Sequence, residues 1–150
     1  TRCIHMIFTT QHIPYATAAI SGNATSLLTG RVLFYEVGEG TYVYTEVRHL
    51  PIEGTFFGFH IHSGESCASG KEGTHYNPTN QPHPKHIGDL PPLLGNHGTA
   101  VSSFYTNRFY PEDIIGKVVV IHAMPDDFRT QPSGNPGTII GCGKIIENHE

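Results

Sequence analysis

Apolar and polar residues alternate along most of the chain after residue 14, most clearly in Thr41–Leu50. There the side chains at positions 42, 44 and 46 share one face, and those at 43, 45 and 47 share the other. A repeat of two is typical of a β-strand whose two faces meet different surroundings. The pattern predicts eight short strands: Tyr15–Ile20, Arg31–Val37, Thr41–Leu50, Thr55–His62, Asp89–Leu94, Thr99–Thr106, Val118–His122 and Ile139–Ile146.

Turn-forming residues separate these strands, because the chain contains 17 glycines and 11 prolines. Many short strands with such connections favour an all-β antiparallel sandwich or barrel over a helical bundle. Two connections are long, Ser63–Gly88 and Ala123–Thr138. Loops of more than about 15 residues without structure of their own are uncommon and are usually functional. The chemistry of the protein is therefore expected in these two loops.

The length of 150 residues suits one domain, which we assign to residues 15–150, preceded by an N-terminal extension over residues 1–14. The formal charge of −4 and the absence of a cluster of Lys and Arg argue against a nucleic-acid partner. No run of 18 apolar residues exists, so no membrane span is expected.

Three cysteines are present, Cys3, Cys67 and Cys142, so one thiol is left over if two of them pair. They lack the close spacing of a zinc knuckle and favour a structural disulfide, although spacing alone does not say which two pair. Disulfides persist in oxidising compartments. The expected location is therefore extracytoplasmic (periplasmic, cell-surface or secreted) rather than cytoplasmic.

Histidine is several times more frequent than usual, with 11 residues in 150. His60 and His62 occupy positions i and i+2 of a predicted strand, so their imidazoles share one face while Ile61 points into the core. His122 ends an apolar run that would hold its ring rigidly. The segment from His75 to Asp89, at the end of the first long loop, adds three imidazoles and a carboxylate, a complete four-ligand set for zinc: His75, His83, His86 and Asp89.

The remaining histidines have no such partners in the pattern and are expected to be ordinary surface residues: His5, His12, His49, His97 and His149.

Five segments together resemble the copper/zinc superoxide dismutases, in the order in which that family has them. They read Gly-Phe-His-Ile-His, Thr-His-Tyr-Asn-Pro, His-Ile-Gly-Asp-Leu, Val-Val-Ile-His-Ala-Met-Pro-Asp-Asp and Ser-Gly-Asn-Pro-Gly followed by Gly-Cys-Gly. The resemblance covers about residues 15–146. It implies an eight-stranded antiparallel Greek-key β-sandwich or barrel with two long functional loops.

The resemblance also implies roles for individual residues. It makes His60, His62, His75 and His122 the copper ligands, and His75, His83, His86 and Asp89 the zinc ligands. His75 would then be a deprotonated bridge with one metal on each ring nitrogen, and it would be the catalytic residue that takes up and delivers a proton. Asp126 would link one copper histidine to one zinc histidine. Cys67 and Cys142 would form the disulfide.

The implied reaction converts superoxide to dioxygen and hydrogen peroxide by redox cycling of copper, with zinc in a structural role. The implied assembly is a homodimer. One departure stands out, because the family usually has an arginine three residues before the last-strand cysteine, where this chain has Ile139. Isoleucine offers neither charge nor hydrogen bonds, so attraction of the superoxide anion is expected to be weaker.

Other functions fit parts of the pattern. A non-enzymatic zinc- or copper-binding sandwich would keep the ligands without turnover, and Ile139 favours it. An adhesion or interaction sandwich with a structural zinc would have no need for His60, His62 and His122. A zinc hydrolase fits least well, because all four zinc positions are filled by protein ligands.

Overall fold

The computed structural model describes residues 13–149, so the predicted extension over residues 1–14 lies outside it except for its last two residues. Within the described chain there are nine strands and one 3-10 helix, Pro111–Ile114. The strands are β1 (Ala16–Gly22), β2 (Thr29–Val37), β3 (Gly40–Arg48), β4 (Phe56–Phe57), β5 (Phe59–His62), β6 (Leu93–Leu94), β7 (Ala100–Thr106), β8 (Val118–His122) and β9 (Ile139–Glu147). None of the residues 13–149 belongs to a helix long and apolar enough to cross a membrane.

Seven strands form one curled antiparallel sheet in the order β5-β8-β9-β1-β2-β3-β7, and β4 pairs with β6 in a small second sheet. After β3 the chain crosses to β5 at the far edge, returns to β7 beside β3, and crosses again to β8. Crossings of this kind between antiparallel strands are the mark of Greek-key topology. The predicted all-β class is confirmed.

The predicted strand Thr55–His62 is wrong in one respect, because it is interrupted at Gly58 and forms two strands in different sheets. Gly58 donates its N–H to the carbonyl of Met124 at 2.9 Å and accepts from the N–H of His122 at 2.8 Å. A Cβ at this position would come within 2.8 Å of the Pro136 side chain. The second long loop therefore approaches the backbone here, which only glycine permits.

The predicted strand Asp89–Leu94 is shorter than expected and survives only as β6, Leu93–Leu94. Pro91 and Pro92 have no N–H to donate to a neighbouring strand, so regular pairing cannot extend towards Asp89.

The two faces of β5 and β8 have opposite roles. Phe59 and Ile61 of β5 belong to the main hydrophobic core, as do Val119 and Ile121 of β8. Full burial of one such side chain contributes about 1.5–3 kcal/mol. The alternate residues lie on the other face, where three imidazoles are nevertheless buried: His60, His62 and His122. This confirms that Ile61 points into the core, and it places the histidines under the long loops.

The first long loop is fixed to the free edge of β5 by backbone hydrogen bonds. Ile61 donates to the carbonyl of Gly88 and accepts from the N–H of Tyr76, both at 2.8 Å. Two isolated β-bridges continue this pairing, His60 with Asp89 and His62 with His75. The loop thus behaves as a partial extra strand, and this pairing places His75 and Asp89 beside the β5 histidines.

A disulfide joins Cys67 in this loop to Cys142 in β9, across a sequence separation of 75 residues. The cysteine pair implied by the resemblance is therefore confirmed. The third cysteine, Cys3, lies outside the described residues.

Replacing both cysteines by alanine is expected to lower the free energy of unfolding by about 4 kcal/mol, because opening a closed loop of this length raises the entropy of the unfolded chain. Urea unfolding of the metal-free protein measures the change, with reduced wild-type protein as the control. A loss below about 1 kcal/mol would contradict this account of the disulfide.

Candidate metal centre

Seven side chains that the sequence marks as ligands come together in one cluster beneath the two long loops. His60 and His62 come from β5, and His122 ends β8. Three more histidines come from the first long loop, and Asp89 follows that loop directly. All six histidines are buried, and the Asp89 side chain is only 5% exposed. The predicted surface histidines within the described chain are exposed, namely His49, His97 and His149. His5 and His12 lie outside the described residues.

Three possible donor nitrogens converge on the carboxylate of Asp89, which is itself a possible fourth donor. Its carboxylate lies 2.8 Å from His75 Nδ1, and 3.2 Å from both His83 Nδ1 and His86 Nδ1. His75 Nδ1 and His86 Nδ1 are 3.2 Å apart. A zinc ion with bonds of 2.0–2.1 Å in a tetrahedron separates its ligand atoms by roughly 3.3 Å. The three nitrogens and the carboxylate therefore have the chemistry of a zinc site, and the distances from Asp89 and between His75 and His86 approach its spacing, although His86 lies outside the group of donors that are all within 4.8 Å of one another.

A second group of possible donors consists of His60, His62 and His122, whose ring nitrogens lie within 4.8 Å of one another. His60 Nδ1 and His122 Nδ1 are 3.4 Å apart. The ring of His75 stacks on that of His60, with centroids 3.9 Å apart, and its centroid is 5.0 Å from that of His62. An all-nitrogen set of this kind suits copper.

The two groups are adjacent, and by distance the residue common to both is His60, which also lies near His75, His83 and Asp89. The resemblance implies that His75 is the shared residue instead. That role stays a prediction, to which the position of the His75 ring between the two groups lends support.

Asp126 links the two groups, because its carboxylate contacts one histidine of each. One carboxylate oxygen lies 2.8 Å from His60 Nε2, and the other lies 2.7 Å from His83 Nε2. An ionised carboxylate only accepts hydrogen bonds, so both Nε2 atoms carry the proton. The lone pairs of these two rings are then on Nδ1, the atoms that face the two groups of donors.

Three buried ring nitrogens of the described residues have no hydrogen-bond partner, namely His62 Nε2, His75 Nε2 and His83 Nδ1. His62 Nδ1 lies 3.0 Å from the carbonyl of Gly73, which can only accept, so the lone pair of His62 is on Nε2. A buried polar atom without a partner costs free energy and calls for an explanation. A metal ion held by His62 Nε2 and His75 Nε2, and a second one held by His83 Nδ1 beside Asp89, would supply one.

Burial keeps these rings neutral. Desolvation, followed by the nearby His75, lowers the pKa of His60 to about 2 and that of His62 to about 3. The same causes lower the pKa of His122 to about 4. At neutral pH the imidazoles therefore compete for metal ions without first losing a proton. Burial alone would raise the pKa of Asp89, but the hydrogen bond with His75 and electrostatic interactions with His83 and His75 lower it.

Comparisons with known proteins identify the family of this chain. Residues 28–145 match the family model described as copper/zinc superoxide dismutase (SODC). The chain is 33% identical to "Superoxide dismutase [Cu-Zn]" of Deinococcus radiodurans, over 79% of this chain and 78% of the relative. It is 35% identical to "Extracellular superoxide dismutase [Cu-Zn]" of Schistosoma mansoni, over 77% and 72%. It is 33% identical to "Superoxide dismutase [Cu-Zn] 3" of Arabidopsis thaliana, over 60% of this chain and 66% of the relative.

The chain belongs to the copper/zinc superoxide dismutase family. Membership confirms the expected enzyme class, and it implies copper and zinc as the metals of a centre whose histidine clusters fit them.

The cavity beside the copper-type histidines has an uncharged lining. It measures about 390 Å³, and no Lys or Arg of the described chain lines it. Ile139 lies opposite His122 on the neighbouring strand and packs against Val118, Val120 and Cys142. Three cations that could replace the family arginine, Lys85, Arg129 and Lys144, are exposed elsewhere. In the described structure, no positive side chain occupies the place of that arginine.

Sequence reasoning missed three residues that surround the centre, Arg108, Gln131 and Gly134. Arg108 donates to the carbonyls of Pro84 and His86 at 3.3 and 3.0 Å. Gln131 pairs with the backbone of His83. These contacts join segments far apart in the chain and leave no periodic pattern. Only Gly134, within the family-like Ser-Gly-Asn-Pro-Gly segment, carries a signal in the sequence.

Changing Gly134 to alanine is expected to loosen the centre. Gly134 has φ +81°, and a Cβ there would overlap the Asp126 carboxylate and approach His83 Nε2 to 2.6 Å. The carboxylate must then move away from His60 and His83, so metal affinity should fall about tenfold or more. Competition with a chelator measures this loss.

The matched control is Gly116→Ala. Gly116 has a similar φ of +87° but no atom within 4 Å of a Cβ. Alanine at position 116 would therefore have the same unfavourable positive φ, but its Cβ would overlap no neighbouring atom. Equal metal affinities in the two variants would show that displacement of Asp126 is not the cause.

Proposed function

We propose that this chain converts superoxide to dioxygen and hydrogen peroxide, using a copper ion beside a structural zinc ion. The observation that carries the proposal is the pair of buried, partnerless nitrogens, His62 Nε2 and His75 Nε2, next to a compact set of three nitrogens and a carboxylate. The other ring nitrogen of each histidine, Nδ1, already has a hydrogen-bond partner, the carbonyl of Gly73 for His62 and the carboxylate of Asp89 for His75. A buried centre for two metals explains both features together.

The proposed ligand sets are those that the family resemblance implies, and the lone-pair directions of His60, His62 and His83 support them. The copper ligands are His60, His62, His75 and His122. The zinc ligands are His75, His83, His86 and Asp89. Because the zinc set fills four positions with protein atoms, it has no open position for a substrate, and its role is to order the first long loop.

When bound, copper supplies the one-electron chemistry, which zinc lacks. The chain supplies the proton route. Two superoxide ions and two protons give one dioxygen and one hydrogen peroxide, so protons must reach the reduced oxygen species. His75 Nε2 is a buried basic nitrogen at the wall of the cavity, and it is the proposed atom that takes up a proton and delivers it.

Asp126 is proposed to orient the rings of both sites. By accepting from Nε2 of His60 and His83, it keeps the proton on those atoms and directs the two Nδ1 lone pairs to the metals. Phe128 donates its N–H to one carboxylate oxygen at 2.7 Å, which holds the carboxylate in place.

We further propose that residues 15–150 form a dismutase domain located outside the cytoplasm. The disulfide is typical of proteins from oxidising compartments, and one similar protein carries the word extracellular in its name. The homodimer stays a prediction.

The test of the proposed activity is pulse radiolysis of the protein loaded with copper and zinc. Protein loaded with zinc alone is the control, and metal analysis accompanies both. We expect first-order acceleration of superoxide decay by the copper-containing protein only. Copper binding without acceleration would favour a metal-binding sandwich that has lost turnover.

Single alanine changes at His60, His62 and His122 separate the enzyme from an interaction module. We expect each change to lower copper content and activity. The exposed histidine His149, whose side chain is 82% exposed, provides the matched control. Unchanged metal content and activity in all three variants would favour an interaction sandwich with zinc alone.

A further inference from the structure

The backbone of His83 is held by one side chain from the other long loop. His83 donates its N–H to Gln131 Oε1 at 2.9 Å, and Gln131 Nε2 donates to the His83 carbonyl at 2.8 Å. A primary amide thus satisfies both backbone groups of a buried residue, as a neighbouring strand would. His83 therefore has regular backbone pairing in a segment that belongs to no strand.

The same loop also holds the ring of His83, through Asp126 at Nε2. Backbone and ring are therefore both fixed by residues of the second long loop. The atom that remains is His83 Nδ1, which is buried, has no hydrogen-bond partner and lies 3.2 Å from Asp89. Its position depends on how firmly the other contacts hold the residue.

Gln131 itself is presented by an ordered turn. The Asp127 carboxylate accepts from the N–H groups of Arg129 and Thr130 at 2.9 and 2.8 Å and also from the Thr130 hydroxyl. Gly134 closes the turn by donating to the carbonyl of Thr130 at 2.7 Å. Gln131 Nε2 makes one more contact, 3.1 Å to the carbonyl of Arg129. Such local bonds reduce the entropy lost when the amide pairs with His83.

We propose that Gln131 is a positioning residue for the zinc site, which aligns His83 Nδ1 through its two hydrogen bonds to the His83 backbone. The inference rests on the proposed role of His83 as a zinc ligand. It assigns to the second long loop a share in zinc binding, although that loop contributes no ligand. A metal ligand displaced by a fraction of an ångström loses affinity, and loss of such outer contacts typically weakens binding by 10–100-fold.

The test variant is Gln131→Met, which keeps the length of the side chain and removes both hydrogen bonds. We expect zinc affinity, measured by competition with a chelator, to fall about tenfold or more. We also replace zinc by Co²⁺, whose visible absorption reports on the geometry of its ligands. The variant should show weaker and broader bands, which a change in overall stability alone would not produce.

The matched control is Gln81→Met. Gln81 is an exposed glutamine in the first long loop, and its side chain makes one long contact, 3.4 Å to the carbonyl of Thr79. It should keep the zinc affinity and the Co²⁺ spectrum of the wild type. Gln131→Glu is a second variant, because a carboxylate accepts from the His83 N–H but cannot donate to its carbonyl. We expect this variant also to weaken zinc binding.

Zinc affinity and a Co²⁺ spectrum equal to the wild type in either Gln131 variant would overturn the inference. That result would leave the proposed function intact, as long as the wild type binds zinc tightly. Failure of the wild type itself to bind zinc would instead refute the proposed zinc site.

Discussion

Replacing Ile139 by arginine is expected to raise the rate of superoxide dismutation about tenfold at low ionic strength. Ile139 lies opposite His122 on the adjacent strand, so both residues are on the same face of the sheet. The cavity beside the copper-type histidines has no Lys or Arg among its described lining residues. A guanidinium at this edge would attract the anion and offer it hydrogen bonds.

Pulse radiolysis at several salt concentrations measures this effect, because attraction between charges weakens as ionic strength rises. The control is Ile146→Arg, which adds the same charge to a half-exposed position of the same strand. We expect the control to change the rate little. Equal rates and equal salt dependence for Ile139→Arg and the wild type would show that the lost arginine does not limit this enzyme.

Replacing His75 by glutamine is expected to abolish most of the activity, by more than about a hundredfold. Loss of an outer partner of a metal ligand already weakens a site 10–100-fold, and His75 is proposed as a ligand of both metals. Glutamine fills a similar volume, but it cannot place one basic nitrogen towards each site. The copper content, the zinc content and the dismutase activity of this variant should therefore all decrease.

Metal analysis and the dismutase assay measure these changes, and circular dichroism checks the fold. The control is His86→Gln, which alters a proposed ligand of zinc only. We expect it to lower zinc content while copper still binds. A His75 variant that lost zinc but kept copper and activity would contradict the role of His75 in both sites.

The alternating strands could be predicted from the sequence because each one has a buried face and a different opposite face. The same periodicity placed Ile61 in the core and His60 and His62 together on the other face. It could not locate the interruption at Gly58, because the cause is a contact with the second long loop, about 65 residues away in sequence. Periodicity describes a strand and its faces, and contacts between loops lie outside it.

The cluster of histidines and Asp89 could be predicted because ligands of a metal must be of a few residue types, which stand out where they recur. The outer contacts could not be predicted in the same way. Gln131 and Arg108 act through backbone atoms, which every residue has, so no sequence pattern marks their partners. Gln131 and His83 are 48 positions apart in the sequence and come into contact only in the folded chain.

The proposed metal centre requires two metal ions that flank one imidazole, that of His75. Anomalous diffraction at the copper and zinc absorption edges, from crystals of the metal-loaded protein, tests this directly. The predicted result is a copper ion at Nε2 of His75 and a zinc ion at Nδ1, each completed by three further side chains of the cluster. A map with a single ion in the centre, or with the His75 ring in contact with neither ion, would contradict it.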